Sequence, residues 1–421
     1  MRAEQPVIFW TLILVVALAP LPFAAVYAWS WSLLACIVGG LVAAWSVRVI
    51  VGVQKAAFGL RATWPFLLPF AAVAGWIALQ SVPWTPAAWH HPLWDSAARA
   101  LEVPLAGRIS LNPDETLSAL TRLLAYGGIF WLALQYARRT QRAEQIFYAI
   151  IAAGVIYGML GLVQSWFGWR SRLGLPGAGD GWAIGGGAAP DHAFATYVSL
   201  ALICISSFIL SAGAPSPRRL NLRDFTRRLV DGSGASWRLL GVWLLLLAMV
   251  PSFGSREDTL SLWLALAVLA VLALAGKLAR WPRVIVFAVA SVLVVISVGY
   301  VKQSLGLAPV AQGGIAADQL ERLHALTRDA LGDAPLLGSG AGTFEEVFRF
   351  YRTSEFEAAV THARSGYHEA VLELGLVAGG ALFLLFATFG LLTAAGALRR
   401  QRDSAYAAAG LAATVLVAAH A

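Results

Sequence analysis

Between Asp333 and Gly379 the chain gathers the side chains best suited to chemistry. Arg349, Arg352 and Arg364 supply guanidinium groups, and His362 and His368 supply imidazoles that titrate near neutrality. Tyr367, Glu369 and Glu373 follow at once, and the stretch runs directly into an apolar helix. A polar cluster at the mouth of a membrane span is costly to keep, so it reads as a functional site. His368 lies one helical turn past Arg364, while Glu369 and Glu373 share another face. Gly338, Gly340 and Gly342 open the stretch and suit backbone turns, with a phosphate-cradling nest as the alternative. No grouping of His, Cys, Asp and Glu has metal-ligand spacing, so no metal is expected. Ser255 has no base predicted beside it, which argues against a Ser-His-Asp triad.

The elements that must position these groups are apolar. The 421 residues are 59% hydrophobic and 13% charged, whereas soluble domains carry about 25% charged residues. Several continuous apolar runs are long enough to cross a bilayer as helices, and their continuity excludes an alternating β-barrel pattern. The reading is an all-α polytopic membrane protein with about 11 transmembrane helices, or 12 in the full chain. Residues 1–301 hold spans one to nine, and 302–365 form one large periplasmic segment with short helices. Residues 366–421 hold span ten and a truncated span eleven. Within 302–365, Leu320, Leu323, Leu326 and Ala330 recur at helical spacing.

The net charge of +8 does not indicate nucleic-acid binding. Lys and Arg fall mostly in short loops between spans, which is the positive-inside pattern. Counted by side, they place the N-terminus in the cytoplasm and the 302–364 segment outside. Cys36 and Cys204 lie inside apolar runs and read as small buried hydrophobes. Trp84, Trp89 and Trp94 sit in the outer loop from Gln80 to Leu111 and suit the membrane–water interface. Span four has a clear start: Asn112 as cap, Pro113 in the first turn, and Glu115 three residues after the cap. Arg122, within that span, is either internally paired or a substrate contact. Asp191 and His192, at the mouth of span six, are either a cap or a second wall of the site. Span ten is expected from about Tyr367 to Leu392 without a break. No phosphate loop or nucleotide fingerprint occurs, which disfavours ATP-driven transport and nucleotide-sugar donors.

Several stretches in order resemble the O-antigen ligase and O-antigen/exopolysaccharide polymerase family. They are ISLNPDETLSALTRLLAYGGIFWLALQYARR, DHAFATY, SRED, RDALGDAPLLGSGAGTFEEVFRFYR and HARSGYHEAVLELGLVAGG. The likeness covers most of the chain from about Ser110 onward. Its most specific part is PLLGSGAGTF followed by Tyr367 and Glu-Leu-Gly. The family's catalytic His falls on Arg364–Ser365 here, with the spacing to Gly375 retained and His362 two residues earlier.

The resemblance implies a glycosyltransferase of the bacterial inner membrane with a periplasmic site. It would move a glycan from undecaprenyl pyrophosphate to a sugar hydroxyl, on a growing chain or on lipid A–core, without cofactor or metal. Such chemistry needs cations for the departing pyrophosphate and a base for the acceptor proton. The catalytic roles go to His362 as base and to Arg256 and Arg364 on the pyrophosphate. Arg352, Tyr367, His368, Glu369, His192 and Arg122 would bind substrate. Polymerase is favoured over ligase. A lipid-linked sugar transporter or flippase and a non-catalytic relative are the alternatives.

Overall fold

A computed structural model describes residues 6–19, 28–167, 188–211, 235–253, 256–275, 317–333, 336–353, 360, 362–363, 365–399 and 404–420. Most of these residues are helical, with no β-strand among them. Five helices are long and apolar enough to cross a membrane, and five shorter ones are apolar as well. The molecule is therefore an all-α protein of membrane type. The reading of span nine falls outside the described residues, as do 302–316.

In order the helices are α1 (Pro6–Leu18), α2 (Ala28–Ile50), α3 (Leu60–Ser81), α4 (Leu93–Leu101), α5 (Pro113–Tyr136) and α6 (Thr140–Phe167). Then come α7 (Ala188–Ser211), α8 (Ala235–Phe253), α9 (Arg256–Ala275) and α10 (Ala317–Asp333). The last are α11 (Phe344–Tyr351), α12 (Gly366–Arg399) and α13 (Ser404–His420). The chain divides into two compact units. One comprises residues 1–34, 136–313 and 389–420; the other comprises 35–135 and 314–388 with residue 421.

The first unit is a helical bundle with an apolar centre. Val198, Leu202 and Ile205 of α7 meet Trp243 and Leu246 of α8, with Leu262 and Leu266 of α9 and Ala412 of α13. Small residues set the close approach of α6 and α7. A Cβ at Gly154 would come within 2.4 Å of the Ala201 side chain, the small-residue packing that membrane helices favour. Polar groups inside are paired: Trp243 Nε1 donates to Ser206 Oγ at 3.0 Å. The phenols of Tyr157 and Tyr197 donate to the carbonyls of Ala17 and Val16 at the end of α1. They satisfy acceptors that a helix C-terminus leaves open. Asp258, buried near the start of α9, pairs with His420 at 2.9 Å. Cys204 is buried as expected, but Cys36 is exposed on α2. An apolar side chain on a membrane helix needs no protein cover, and this is why burial could not be read from its apolar run.

The second unit carries most of the chemistry-bearing stretch. Glycine again lets helices approach: a Cβ on Gly127 of α5 would meet the Phe70 ring of α3 at 2.4 Å. Gln135, near the end of α5, accepts from the amides of Ala57 and Phe58 at 2.8 and 3.2 Å and donates to Phe58 O at 3.1 Å. Helices α10 and α11 and the start of α12 share a small core of Leu323, Ala330, Phe344, Phe348, Ala363 and Leu372. Helix α5 starts at Pro113, as its sequence predicts. Asn112 Oδ1 accepts from Glu115 N at 3.4 Å, and its Nδ2 donates to Glu346 of α11 at 2.9 Å.

Span ten departs from the expected unbroken helix. Gly375 has φ 76° and ψ 168°, so the i→i−4 ladder of α12 is interrupted there. The Gly-rich loop before α11 fills the interruption. Ser339 N donates to Leu372 O, and Gly340 N donates to Glu373 O, each at 3.0 Å. Trp76 Nε1 of α3 donates to Leu374 O at 2.9 Å. A Cβ at Gly375 would lie 2.2 Å from Leu336 O, and one at Gly338 would lie 2.3 Å from Glu373 O. Glycine is required at both positions, by positive φ and by backbone contact.

Candidate functional site

The site is built on this interruption, within the second unit. Gln80, in the last turn of α3, is fully buried. Its Nε2 donates to Leu337 O and Glu373 O, both at 2.9 Å, and its Oε1 accepts from Ala341 N at 3.2 Å. One amide thus ties α3, the glycine loop and α12 together. The loop amides of Ser339, Gly340 and Ala341 are committed to protein acceptors. Gly338, Gly340 and Gly342 all have positive φ, so they serve backbone turns and close contact, and the amides of Ser339, Gly340 and Ala341 are not available to a phosphate nest.

Anchored in this way, the first turns of α12 present two carboxylates one turn apart. Glu373 is partly buried. Its Oε1 accepts from Phe344 N, the first residue of α11, at 3.2 Å. Thr343 precedes α11 but makes no side-chain cap; its hydroxyl turns back to Gly340 O at 2.7 Å. Glu373 thus caps α11 from another element.

Glu369 holds the candidate base. Its Oε1 accepts from His362 Nδ1 at 3.2 Å, and its Oε2 accepts from Ala363 N at 3.1 Å. A carboxylate only accepts, so Nδ1 carries the hydrogen and, in the neutral imidazole, Nε2 keeps the lone pair. The His362 side chain is 72% exposed. Its pKa is raised, first by the hydrogen bond to Glu369 and further by the charges of Glu369 and Glu373, while partial desolvation and, more weakly, Arg122 oppose the rise. Arg122 of α5 thus acts electrostatically on the same imidazole. It is also paired with Glu115, at 3.5 Å. Among the described residues no group of three or more His, Cys, Asp or Glu side chains is placed to hold a metal ion.

The structure accordingly brings together His362, Glu369 and Arg122. His368 turns elsewhere: Nδ1 lies 2.9 Å from Ser365 Oγ, and its ring stacks on His324 of α10 with centroids 5.2 Å apart. Tyr367 is exposed and packs on Phe383 at 5.4 Å between ring centroids. Arg352 is exposed at the C-terminal end of α11, and Arg349 pairs with Glu345 one turn earlier. Arg256 is the first residue of α9 and His192 lies in α7, both in the first unit. The side chains of Arg256 and His192 lie outside the described residues, as does Arg364 altogether.

Two contributors were not singled out as site residues from sequence: Gln80, placed there at the start of a loop, and His324. A lone Gln closing an apolar run was the only signal for the first. His324 carried none, because its partner His368 is 44 residues away (368 − 324). No protein-family model and no curated protein matches the chain.

Proposed function

We propose that the protein is a membrane glycosyltransferase that moves a glycan from undecaprenyl pyrophosphate to a sugar hydroxyl in surface-polysaccharide assembly, as a polymerase rather than a ligase. The observation that carries the reading is the His362–Glu369 pair, placed within electrostatic reach of Arg122. A base oriented by a carboxylate is what the acceptor hydroxyl requires. In the reaction the hydroxyl oxygen attacks the anomeric carbon and its proton passes to His362 Nε2. The bond from that carbon to the diphosphate oxygen breaks, and undecaprenyl pyrophosphate leaves with the electron pair. Glu369 keeps the imidazole oriented and stabilises the imidazolium. Arg256 and Arg364 are assigned to the leaving diphosphate, for which the guanidinium fork is suited. Arg352, Tyr367 and His192 are assigned to the glycan and carrier. The protein would lie in the bacterial inner membrane with this site facing the periplasm.

A transporter is the second reading, because the interruption at Gly375 is a feature that transporters use for midplane binding. Here the carbonyls of Leu372, Glu373 and Leu374 are engaged by the protein's own donors, which favours catalysis. One experiment separates the readings. Full-length protein in proteoliposomes receives undecaprenyl-pyrophosphate oligosaccharide and a sugar acceptor, and released undecaprenyl pyrophosphate is followed. The enzyme releases it, and His362→Ala lowers the rate by about 10²–10⁴-fold. Translocation of intact donor without release supports a transporter, and donor binding with neither outcome supports a non-catalytic relative.

A further inference from the structure

The connection from α3 to α5 is an ordered lobe, and it holds a cation that the proposed reaction does not use. Both ends of residues 82–112 continue into helices long enough to span a membrane. Its backbone is tied down. Ser110 N donates to Gln80 O at 2.9 Å, and His91 N donates to Arg108 O at 2.8 Å. Trp94 Nε1 donates to Ser110 O at 3.1 Å. His90 Nε2 lies 2.9 Å from Thr85 O, and a Cβ on Gly107 would meet the same His90 ring at 2.5 Å. The lobe is therefore a fixed platform. It nevertheless exposes Trp84 by 74%, Leu101 by 64% and Val103 by 51%. A segment tethered at both ends to spans stays at the bilayer surface, where Trp and aliphatic side chains partition into the interface.

Arg108 sits in this platform, partly buried. Its Nε is buried and has no hydrogen-bond partner among the described residues. Arg99 of the same lobe differs: it is exposed, and its Nε donates to Asp95 O at 3.2 Å. An arginine Nε–H withdrawn from water without an acceptor is costly, and an anion at headgroup depth would supply that acceptor. Planar bidentate donors match phosphate oxygens best.

We infer that the 82–111 lobe rests in the membrane interface and binds a lipid phosphate ester through Arg108. The ester is that of a phospholipid headgroup or of a polyprenyl diphosphate. The inference uses none of the residues of the His362 cluster, and binding can be read without turnover.

The test uses the full chain in detergent, with lipid occupancy read by native mass spectrometry. The probes are phosphatidylglycerol, undecaprenyl pyrophosphate and the phosphate-free alcohol undecaprenol. Arg108→Gln should weaken phosphate-lipid binding by about tenfold, the worth of a charge-assisted contact. Arg99→Gln and His362→Ala should leave it unchanged. Loss confined to undecaprenyl pyrophosphate identifies the carrier as the ligand; loss confined to phosphatidylglycerol identifies a headgroup; loss of both identifies a general phosphate-ester site. Wild-type binding by Arg108→Gln overturns the inference, and so does displacement of either lipid by undecaprenol. Where Arg108→Gln is not monodisperse, Arg108→Lys serves: it keeps the charge and loses the fork, and an intermediate affinity is expected. Undiminished affinity in Arg108→Lys together with effective undecaprenol competition also overturns it.

Discussion

His362 and Glu369 make the site's chemistry sensitive to pH. The Glu369 hydrogen bond raises the His362 pKa, so the imidazole stays protonated to higher pH than a free one. A base must be neutral, and activity should therefore rise as pH climbs through that raised value. Glu369→Gln removes the cause and should move this limb toward the ordinary value of about 6.5, which a pH–rate profile would read. An unmoved limb would remove Glu369 as the orienting group. The stability effect runs the other way. The folded pKa lies above the unfolded one, so the pair's contribution is fully present below about pH 6.5 and is lost as pH rises through the folded value. The side chain is largely exposed, so the effect on global stability is small. Much of this was legible in sequence, since His362, Glu369 and Arg122 were all candidates. Their assortment was not: seven residues separate His362 from Glu369, and only the turn into α12 decides which imidazole meets which carboxylate. His368, nearer in sequence, faces His324 instead.

At the scale of elements, long periodic apolar segments are the strongest signal a sequence carries; span ten, expected from about Tyr367 to Leu392, lies within a helix from Gly366 to Arg399. The break in α12 was hidden, since glycine is common in membrane helices and Gly379 and Gly380 lie in the same helix without breaking it. Local conformation decides the matter, and it can be tested. Gly375→Ala places a methyl 2.2 Å from Leu336 O at φ 76°, and should cost at least about 3 kcal/mol. Gly380 has open space around it, so Gly380→Ala should be neutral or stabilising by up to about 1 kcal/mol. Gln80→Leu leaves Leu337 O, Glu373 O and Ala341 N without this partner, at about 1–3 kcal/mol for each one buried and unpaired. Thermal melts followed by size exclusion in detergent would rank these variants. Equal melting points for Gly375→Ala and Gly380→Ala would contradict the geometry of the break.

For the whole molecule, charge asymmetry makes the decisive prediction. The segment from Ser216 to Arg238 is strongly basic, which favours the cytoplasmic side. Reporter fusions that are active only outside the membrane should be silent after Ser216 and active after Gly313. Activity at both points, or the reverse pattern, would overturn the proposed orientation. Composition suffices for a membrane protein of this size, but it does not choose between catalysis and transport. The proposed choice rests on His362 just before α12, with Glu369 of α12 and Arg122 of α5.

The Gln80 contacts also impose an order in time. Its amide meets Leu337 and Glu373, 257 and 293 residues later in the chain. During synthesis α3 must enter the bilayer with that amide still unmatched, and it stays so until Leu337 and Glu373 have been made. Contacts this distant in sequence close late. The join between α3, the glycine loop and α12 is therefore among the last to set. Chains interrupted before Leu336 should carry an exposed, protease-sensitive segment around residues 82–111 even when their earlier helices are fully inserted.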